Sequence, residues 1–402
     1  MQSFVEYVSI KTKEGEYMLK AISKDGQIII LPLLSRDVAL SLKSKHPFYC
    51  PCCKERVNIR IGDKRIAHFA HQRKSACAFS QGEGEYHEQG KIDLYDWLLA
   101  QGYYVELEKY LPQIKQRPDL LLFHNNKKIA IEFQCASIPI KQLISRTAGY
   151  QKLGIIPIWV LGGNRMRRRN HQQLYLTPTE HHFIHQFKAN LPTYFFYYCP
   201  NSKKFAINQN SWLNGRRTAI GNLSFHPISQ LKFVDLFKIA NKTSEERATL
   251  WLVEKKQFRL YNSSHPSSSE KQWRQWLYLH RYHPTTLPSI IHLPVVSQWK
   301  MMIAPWNWQS RLCIDLLLKK KRVTFYECQQ FLTRYMIPDY KFPLVYAKHH
   351  PIKEYLNILL QLQYIQEISH DTFQLQMDLT SYESLDKALE QDKLIMKQFA
   401  IL

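Results

Sequence analysis

The segment RPDLLLFHNNKKIAIEFQ, residues 117–134, constrains this chain more than any other. Two apolar runs flank His124-Asn125-Asn126-Lys127, a turn-like tetrapeptide, so the segment reads as an antiparallel hairpin. A turn centred between Asn125 and Asn126 sets Asp119 opposite Glu132, and strand alternation puts Gln134 on the same side as Glu132. Directly opposed residues have Cβ atoms ~4.5–5.5 Å apart, a spacing at which like charges repel. A hairpin otherwise built from Leu, Ile and Phe has no structural use for two facing carboxylates. A bound Mg²⁺ or Mn²⁺ resolves the conflict, because a hard cation prefers carboxylates, water and phosphate oxygens. Such an ion activates water and stabilises charge at an attacked phosphate. Gln134 is expected to orient the water or a phosphate oxygen. The bland reading makes Asp119 a turn residue and leaves Glu132 on an exposed edge.

The flanking helices carry further candidates. Glu83, His87 and Lys91 are spaced i, i+4, i+8 on a helix expected from Glu83 to Gln101. In that stripe Glu83 is a candidate metal ligand, His87 a phosphate or water contact, and Lys91 a phosphate clamp. Glu85 competes with Glu83 for the acidic role, and a plain solvated face is the alternative for the whole stripe. Arg146 and Tyr150 form an i, i+4 pair on a helix expected over Ile140–Lys152, suited to phosphate contact and stacking. The run Arg165–Arg169 follows an apolar strand at Ile155–Leu161, and Arg167, Arg168 and Arg169 are candidate DNA contacts.

A separate constellation lies upstream: Cys50-Pro-Cys52-Cys53, then His68-Phe-Ala-His71, then Cys77. Cys50 and Cys53 have knuckle spacing, and Cys77 with His68 or His71 completes a Cys₃His set suited to structural zinc. The spacing leaves the choice of histidine open, and Cys52 is a spectator. The chain has no apolar leader and no run near the ~20 apolar residues of a membrane span, so a reducing cytoplasmic setting is expected.

The chain has 402 residues, 45% of them hydrophobic, enough for two or three domains. Its formal charge of +22 calls for a polyanion, and DNA fits better than a membrane surface because no amphipathic anchor is visible. Strands are expected at Phe4–Ile10, Tyr17–Ile22 and Gln27–Leu31, a helix at Ser35–Lys43, and further strands at Tyr103–Glu108, Pro118–Phe123 and Lys128–Cys135. Beyond about residue 200 the Tyr-, Trp- and Lys-rich sequence reads as helical, with NSSHPSSSEK (262–271) as a hinge. Residues 307–376 suit a winged helix, with a plain helical lobe as the alternative. The expected division is a strand and zinc region (1–80), a nuclease-like domain (81–200) and a helical basic region (201–402).

YCPCC, AHFAH with Cys77, GEGEYHEQGK, RPDLLL, IEFQCAS and the Arg146–Tyr150 helix together resemble the competence protein CoiA family over roughly residues 1–165. The resemblance implies an α/β fold: a mixed-sheet PD-(D/E)XK nuclease-like core with an N-terminal zinc-binding β region and a mostly helical C-terminal region. It also implies processing of incoming DNA for recombination during natural transformation. Asp119, Glu132, Gln134 and Glu83 fall on the family's acidic and glutamine positions, although Gly84 stands where a Ser is expected. A Mg²⁺-dependent endonuclease, with single-stranded or branched DNA as substrate and a recombinase as a possible partner, is the leading expectation. A non-catalytic recombination mediator on a nuclease-like fold is the alternative. A zinc-finger adaptor would leave the hairpin unused.

Overall fold

The structure is a computed structural model that describes residues 18–401 apart from 46, 63–65, 72–76, 78–83, 171, 216, 241–243 and 261–265. The strand expected at Phe4–Ile10 and the candidate ligand Glu83 lie outside the described residues. Among those described, the strands form three sheets.

The first contains β1 (Lys20–Ser23), β2 (Ile28–Ile30), β3 (Phe48–Tyr49), β4 (Arg56–Arg60) and β5 (His68–His71), with helix α1 (Arg36–Lys45) between β2 and β3. Neighbours in the order β2-β1-β3-β4-β5 run antiparallel. In β4, Val57 and Ile59 turn inward while Arg56, Asn58 and Arg60 face water, the period of a half-buried strand.

The second sheet holds the hairpin. Its elements are α2 (Glu85–Leu99), β6 (Tyr104–Leu107), β7 (Leu120–His124), β8 (Lys127–Gln134), α3 (Ile140–Lys152), β9 (Ile155–Gly162), β10 (Arg167–Arg168), β11 (Gln173–Tyr175), β12 (Tyr194–Cys199), β13 (Lys204–Asn214) and β14 (Thr218–Pro227). The strand order is β10-β11-β14-β13-β12-β9-β8-β7-β6. β9 runs parallel to both β8 and β12, so the sheet is mixed, and α3 is the crossover that a parallel β8–β9 pair requires. Helix α2 covers one face, packing Leu94 and Leu98 near Leu120, Leu122, Ile131 and Phe133. Helix α3 covers the other, with Leu143 near Trp159 and Leu161, and Tyr150 near Leu121 and Ala130. The sheet continues past residue 200, where the sequence reads as helical. The cause is burial: β13 is covered along most of its length, so its sequence lacks the alternation that marks a half-exposed strand.

The remaining chain is mostly helical: α4 (Ser244–Leu260), α5 (Ser268–Leu279), α6 (Pro305–Arg311, extended by a π-type stretch over Leu312–Leu318), α7 (Phe325–Leu332), α8 (Pro351–Gln361) and α9 (Leu385–Ile401). Strands β15 (Arg322–Thr324), β16 (Ile365–Ser369) and β17 (Thr372–Leu375) form an antiparallel sheet ordered β15-β17-β16. One apolar core joins these helices to Trp212 of β13 and Ile220 of β14. No helix among the described residues is long and apolar enough to cross a membrane.

Candidate functional site

The hairpin has the expected register. Leu120 pairs with Ile131 and His124 with Lys127. Asn125 and Asn126 sit at φ 48° and 59°, the left-handed pair that a two-residue type I′ turn needs and that Asn tolerates. Asp119, one residue before β7, is therefore level with Glu132. Both are buried, at 8% and 3% exposure.

Their partners come from both layers. Asp119 Oδ2 accepts a hydrogen bond from the Phe133 backbone N–H at 2.8 Å, and His87 Nε2 of α2 lies 3.5 Å away. Glu132 Oε1 accepts from Arg146 Nη2 at 2.5 Å and from the Tyr150 hydroxyl, both on α3. Burial raises the Glu132 carboxyl to about 7; Arg146 opposes that rise, and the charge of Asp119 adds to it. The same burial pushes Tyr150 well up, reinforced by the Glu132 charge. Burial pulls Arg146 down, but Glu132, Tyr150 and Asp119 together outweigh it and raise the guanidinium above its ordinary value. Arg146 and Tyr150, expected as DNA contacts, thus converge on Glu132: they share one stripe of α3, as i, i+4 spacing requires, and the helix turns that stripe toward the sheet.

Helix α2 differs from expectation in the same way. Lys91 is fully buried, with Nζ 2.7 Å from Glu108 Oε1 and 2.9 Å from Glu88 Oε1, and Arg117 Nη1 lies 3.4 Å from Glu108 Oε2. An interior ammonium held by two carboxylates is no surface clamp for phosphate. Glu85 is exposed, whereas Glu88 is 1% exposed and beside His87. Glu88 and Glu108 were missed by the sequence reading. The signal for Glu88 was present: His87, Glu88 and Lys91 lie one heptad before Leu94, Tyr95 and Leu98, so the core stripe of α2 becomes ionic in its first half. Gly90 lets this half reach the sheet, because a Cβ there would lie 1.9 Å from the Phe133 ring. That ring stacks on His87 at 5.6 Å and 15°.

At the end of β8, Gln134 Nε2 donates to Ala136 O at 2.9 Å, and Arg165 Nη1 donates to the same carbonyl at 2.7 Å. The arginines after Arg165 are drawn into an edge strand. Arg167 and Arg168 are exposed in β10, with the Arg168 guanidinium 4.9 Å from the Phe225 ring centre, and Arg169 donates to Gln257 of α4 at 3.1 Å. Arg165 is therefore the member of the run that reaches the end of β8; pairing of β10 with β11 redirects the others.

Upstream, ligand atoms of Cys50, Cys53, His71 and Cys77 all lie within 4.8 Å of one another, with Cys53 Sγ 3.4 Å from His71 Nε2. His68 stays outside this group and places Nδ1 2.9 Å from Ile66 O. Three residues apart on β5, the two histidines project to opposite faces. The Cys52 N–H points at Cys50 Sγ, 3.4 Å away. Three sulfurs and one imidazole suit a soft-to-borderline ion in a closed site, so this group could hold a metal.

Family models for competence protein CoiA match three stretches: the N-terminal domain over residues 31–80, the nuclease-like domain over 83–241 and the C-terminal domain over 247–389. The second span takes in β13 and β14. Competence protein CoiA of Bacillus subtilis (strain 168) is 25% identical over 355 residues, covering 86% of this chain and 94% of that protein. No solved structure matches the chain.

Proposed function

We propose, from the premise that this chain belongs to the competence protein CoiA family and so has a role in competence, that it is a Mg²⁺- or Mn²⁺-dependent nuclease acting on incoming DNA. The observation that carries this reading is the burial of Asp119 and Glu132 at one level of a hairpin, between α2, which brings His87 to Asp119, and α3, which brings Arg146 to Glu132. The donor set fits a hard divalent ion: two carboxylates on adjacent chain segments, with burial and mutual repulsion raising Glu132 to about 7, a cost that a cation would relieve. Asp119 and Glu132 would hold the ion, and its chemistry would be polarisation of a phosphodiester oxygen and activation of water. Arg146 and Tyr150 fix the Glu132 carboxylate, while the Phe133 N–H and His87 fix that of Asp119. Gln134 stands at the neighbouring position on the same side of β8.

The net charge of +22 supports DNA as the partner. Exposed Arg167 and Arg168 and the exposed run Lys319–Arg322 are the surfaces we assign to it. The unit from α6 to β17 has the helix, strand, helix, helix, strand, strand order of a winged helix, which suits duplex or branched DNA. Zinc is the metal we assign to Cys50, Cys53, His71 and Cys77, and the cytoplasm, with a recombinase at hand, is the setting that fits these roles.

One observation favours a second reading. Arg146 and Tyr150 already engage Glu132 Oε1, as in a retired site kept for holding DNA. Cleavage of single-stranded, duplex and branched DNA with Mg²⁺ or Mn²⁺ separates the two. The nuclease reading expects cleavage by the parent, its loss in Asp119→Ala and Glu132→Ala, and DNA binding in all three. Binding without cleavage by the parent establishes the mediator, and equal cleavage by all three proteins moves the active site elsewhere.

A further inference from the structure

A cavity of about 580 Å³ opens where the arginine run meets the helical region, bounded by the ends of β10 and β13 and by α4, α5 and α6. Its volume is that of a small-ligand site, and its walls are of two kinds. One is aromatic. The half-buried Trp306 ring of α6 lies 4.2 Å from the buried Trp273 ring and 5.9 Å from that of Phe258, nearly parallel to the latter at 21°. The Trp273 indole N–H donates to Ser310 Oγ at 2.9 Å, so the ring that backs Trp306 is itself fixed. The other wall is charged. Glu254, 3% exposed, accepts Gln173 Nε2 at one carboxylate oxygen and Asn214 Nδ2 at the other, both at 2.7 Å. Each oxygen keeps a second lone pair. Arg169, its side chain half exposed, brings Nη1 to 3.8 Å from Glu254, and Arg274 Nη2 donates to Glu270 Oε1 at 2.6 Å.

We infer that this cavity takes one unstacked base of single-stranded DNA, with the ring against Trp306, an N–H edge turned to Glu254 and the phosphate held by Arg169. The inference rests on DNA as the partner and not on cleavage. A base offers a π-face to an aromatic wall and N–H groups to a carboxylate that can only accept. A hydrocarbon ligand would leave Glu254 unused, and a bare phosphate would meet it as a like charge. The occupant is a strand because the cavity ends a basic track: Arg167 and Arg168 are exposed immediately before Arg169, and Arg165 reaches Ala136 at the end of β8. Arg165 and Arg169 are four residues apart, a span of at most about 14 Å, so a strand seated in the cavity lies within a few nucleotides of the end of β8.

Binding would be measured on the full chain by fluorescence anisotropy, without Mg²⁺ or Mn²⁺. The probes are a short labelled oligodeoxycytidine, an abasic strand of the same length, and free dCMP as competitor. Oligodeoxycytidine should bind about tenfold or more tightly than the abasic strand, and dCMP at equal concentration should not displace it. Trp306→Leu should weaken oligodeoxycytidine by about tenfold and leave the abasic strand unchanged, and Trp306→Phe, which restores a ring, should recover most of the loss. Arg169→Gln should weaken both strands and flatten the plot of log affinity against log salt by about 0.7. In the unaltered chain, a strand carrying iododeoxycytidine should crosslink on irradiation to Trp306 or Phe258, a readout that depends on no variant folding. An abasic strand bound as tightly as oligodeoxycytidine, parent affinity in Trp306→Leu, or crosslinks confined to Lys319–Arg322 each overturn the base site and leave DNA as the partner. Displacement by equal dCMP overturns the strand as occupant. Failure of the parent to bind either strand overturns the DNA partner and the base site together.

Discussion

Gly90→Ala tests whether α2 must lie close to β8 for the site to form. The added Cβ would stand 1.9 Å from Phe133 Cε1, 2.6 Å from Cδ1 and 2.7 Å from Cζ. Carbon atoms rest about 3.5–4.0 Å apart, so the ring or the helix must shift by roughly 1.5–2 Å. The ring has little room to move: Phe133 is 1% exposed and packed by His87, Tyr86 and Tyr198 at centroid distances of 5.6, 6.4 and 6.0 Å. Overpacking of this kind costs about 1–3 kcal/mol. Alanine's better helix propensity returns about 1 kcal/mol, so a net loss of up to about 2 kcal/mol is expected in urea unfolding. Metal binding at Asp119 should suffer as well, because the shift carries His87 and Glu88 away from the hairpin. The double variant Gly90→Ala, Phe133→Leu should recover part of the loss, since the smaller side chain vacates the space the new methyl needs, giving a favourable coupling between the two sites. A gain of about 1 kcal/mol in Gly90→Ala, the response of a glycine on an open helix face, would refute the close approach.

Three other outcomes follow from the same geometry. Arg146→Leu strands Glu132 without its cation and should cost about 3–5 kcal/mol in unfolding free energy; adding Glu132→Gln should restore much of it, and strictly additive losses would contradict the pairing. His185, fully buried, accepts from the Trp159 N–H at 3.0 Å and is held down to about 3 by burial. A depressed folded value means its contribution is intact above about 6.5 and is lost as pH falls toward 3, by at most about 1.4 kcal/mol per pH unit, so urea midpoints between pH 7 and 5 should fall less in His185→Gln than in the parent. Elemental analysis of purified protein should find about one zinc per chain, lost in Cys53→Ser and His71→Ala but kept in Cys52→Ser and His68→Ala, and retention in all four would dissolve the Cys₃His assignment.

Local signals made part of the site legible in the sequence. Two asparagines that accept left-handed φ fix the turn, the turn fixes the register, and the register brings Asp119 level with Glu132. Helix α3 begins and ends where its periodicity says, at Ile140 and Lys152, because its apolar stripe and the buried strand after it leave little choice. The close group of cysteines and one histidine was legible for a similar reason, since knuckle spacing is a property of the chain alone. The choice between His68 and His71 was not, because it depends on which face of β5 meets the cysteine turn.

Tertiary structure decided the rest, and the reason is that charge type says nothing about facing. Lys91, Arg146 and Tyr150 have the residue types of phosphate contacts, yet each turns inward to a carboxylate that only the packing of α2 or α3 against the sheet brings within reach. Glu108, 1% exposed at a residue with φ 49°, receives Lys91 from α2 and Arg117 from the segment before β7, partners that no spacing rule connects. The arginine run is divided by strand pairing, Arg165 going to Ala136 and Arg169 to α4. Sequence periodicity identifies an element and its faces, but it cannot say which face is covered by another element; here the covering layers turn isolated ionisable residues into a compensated, buried site.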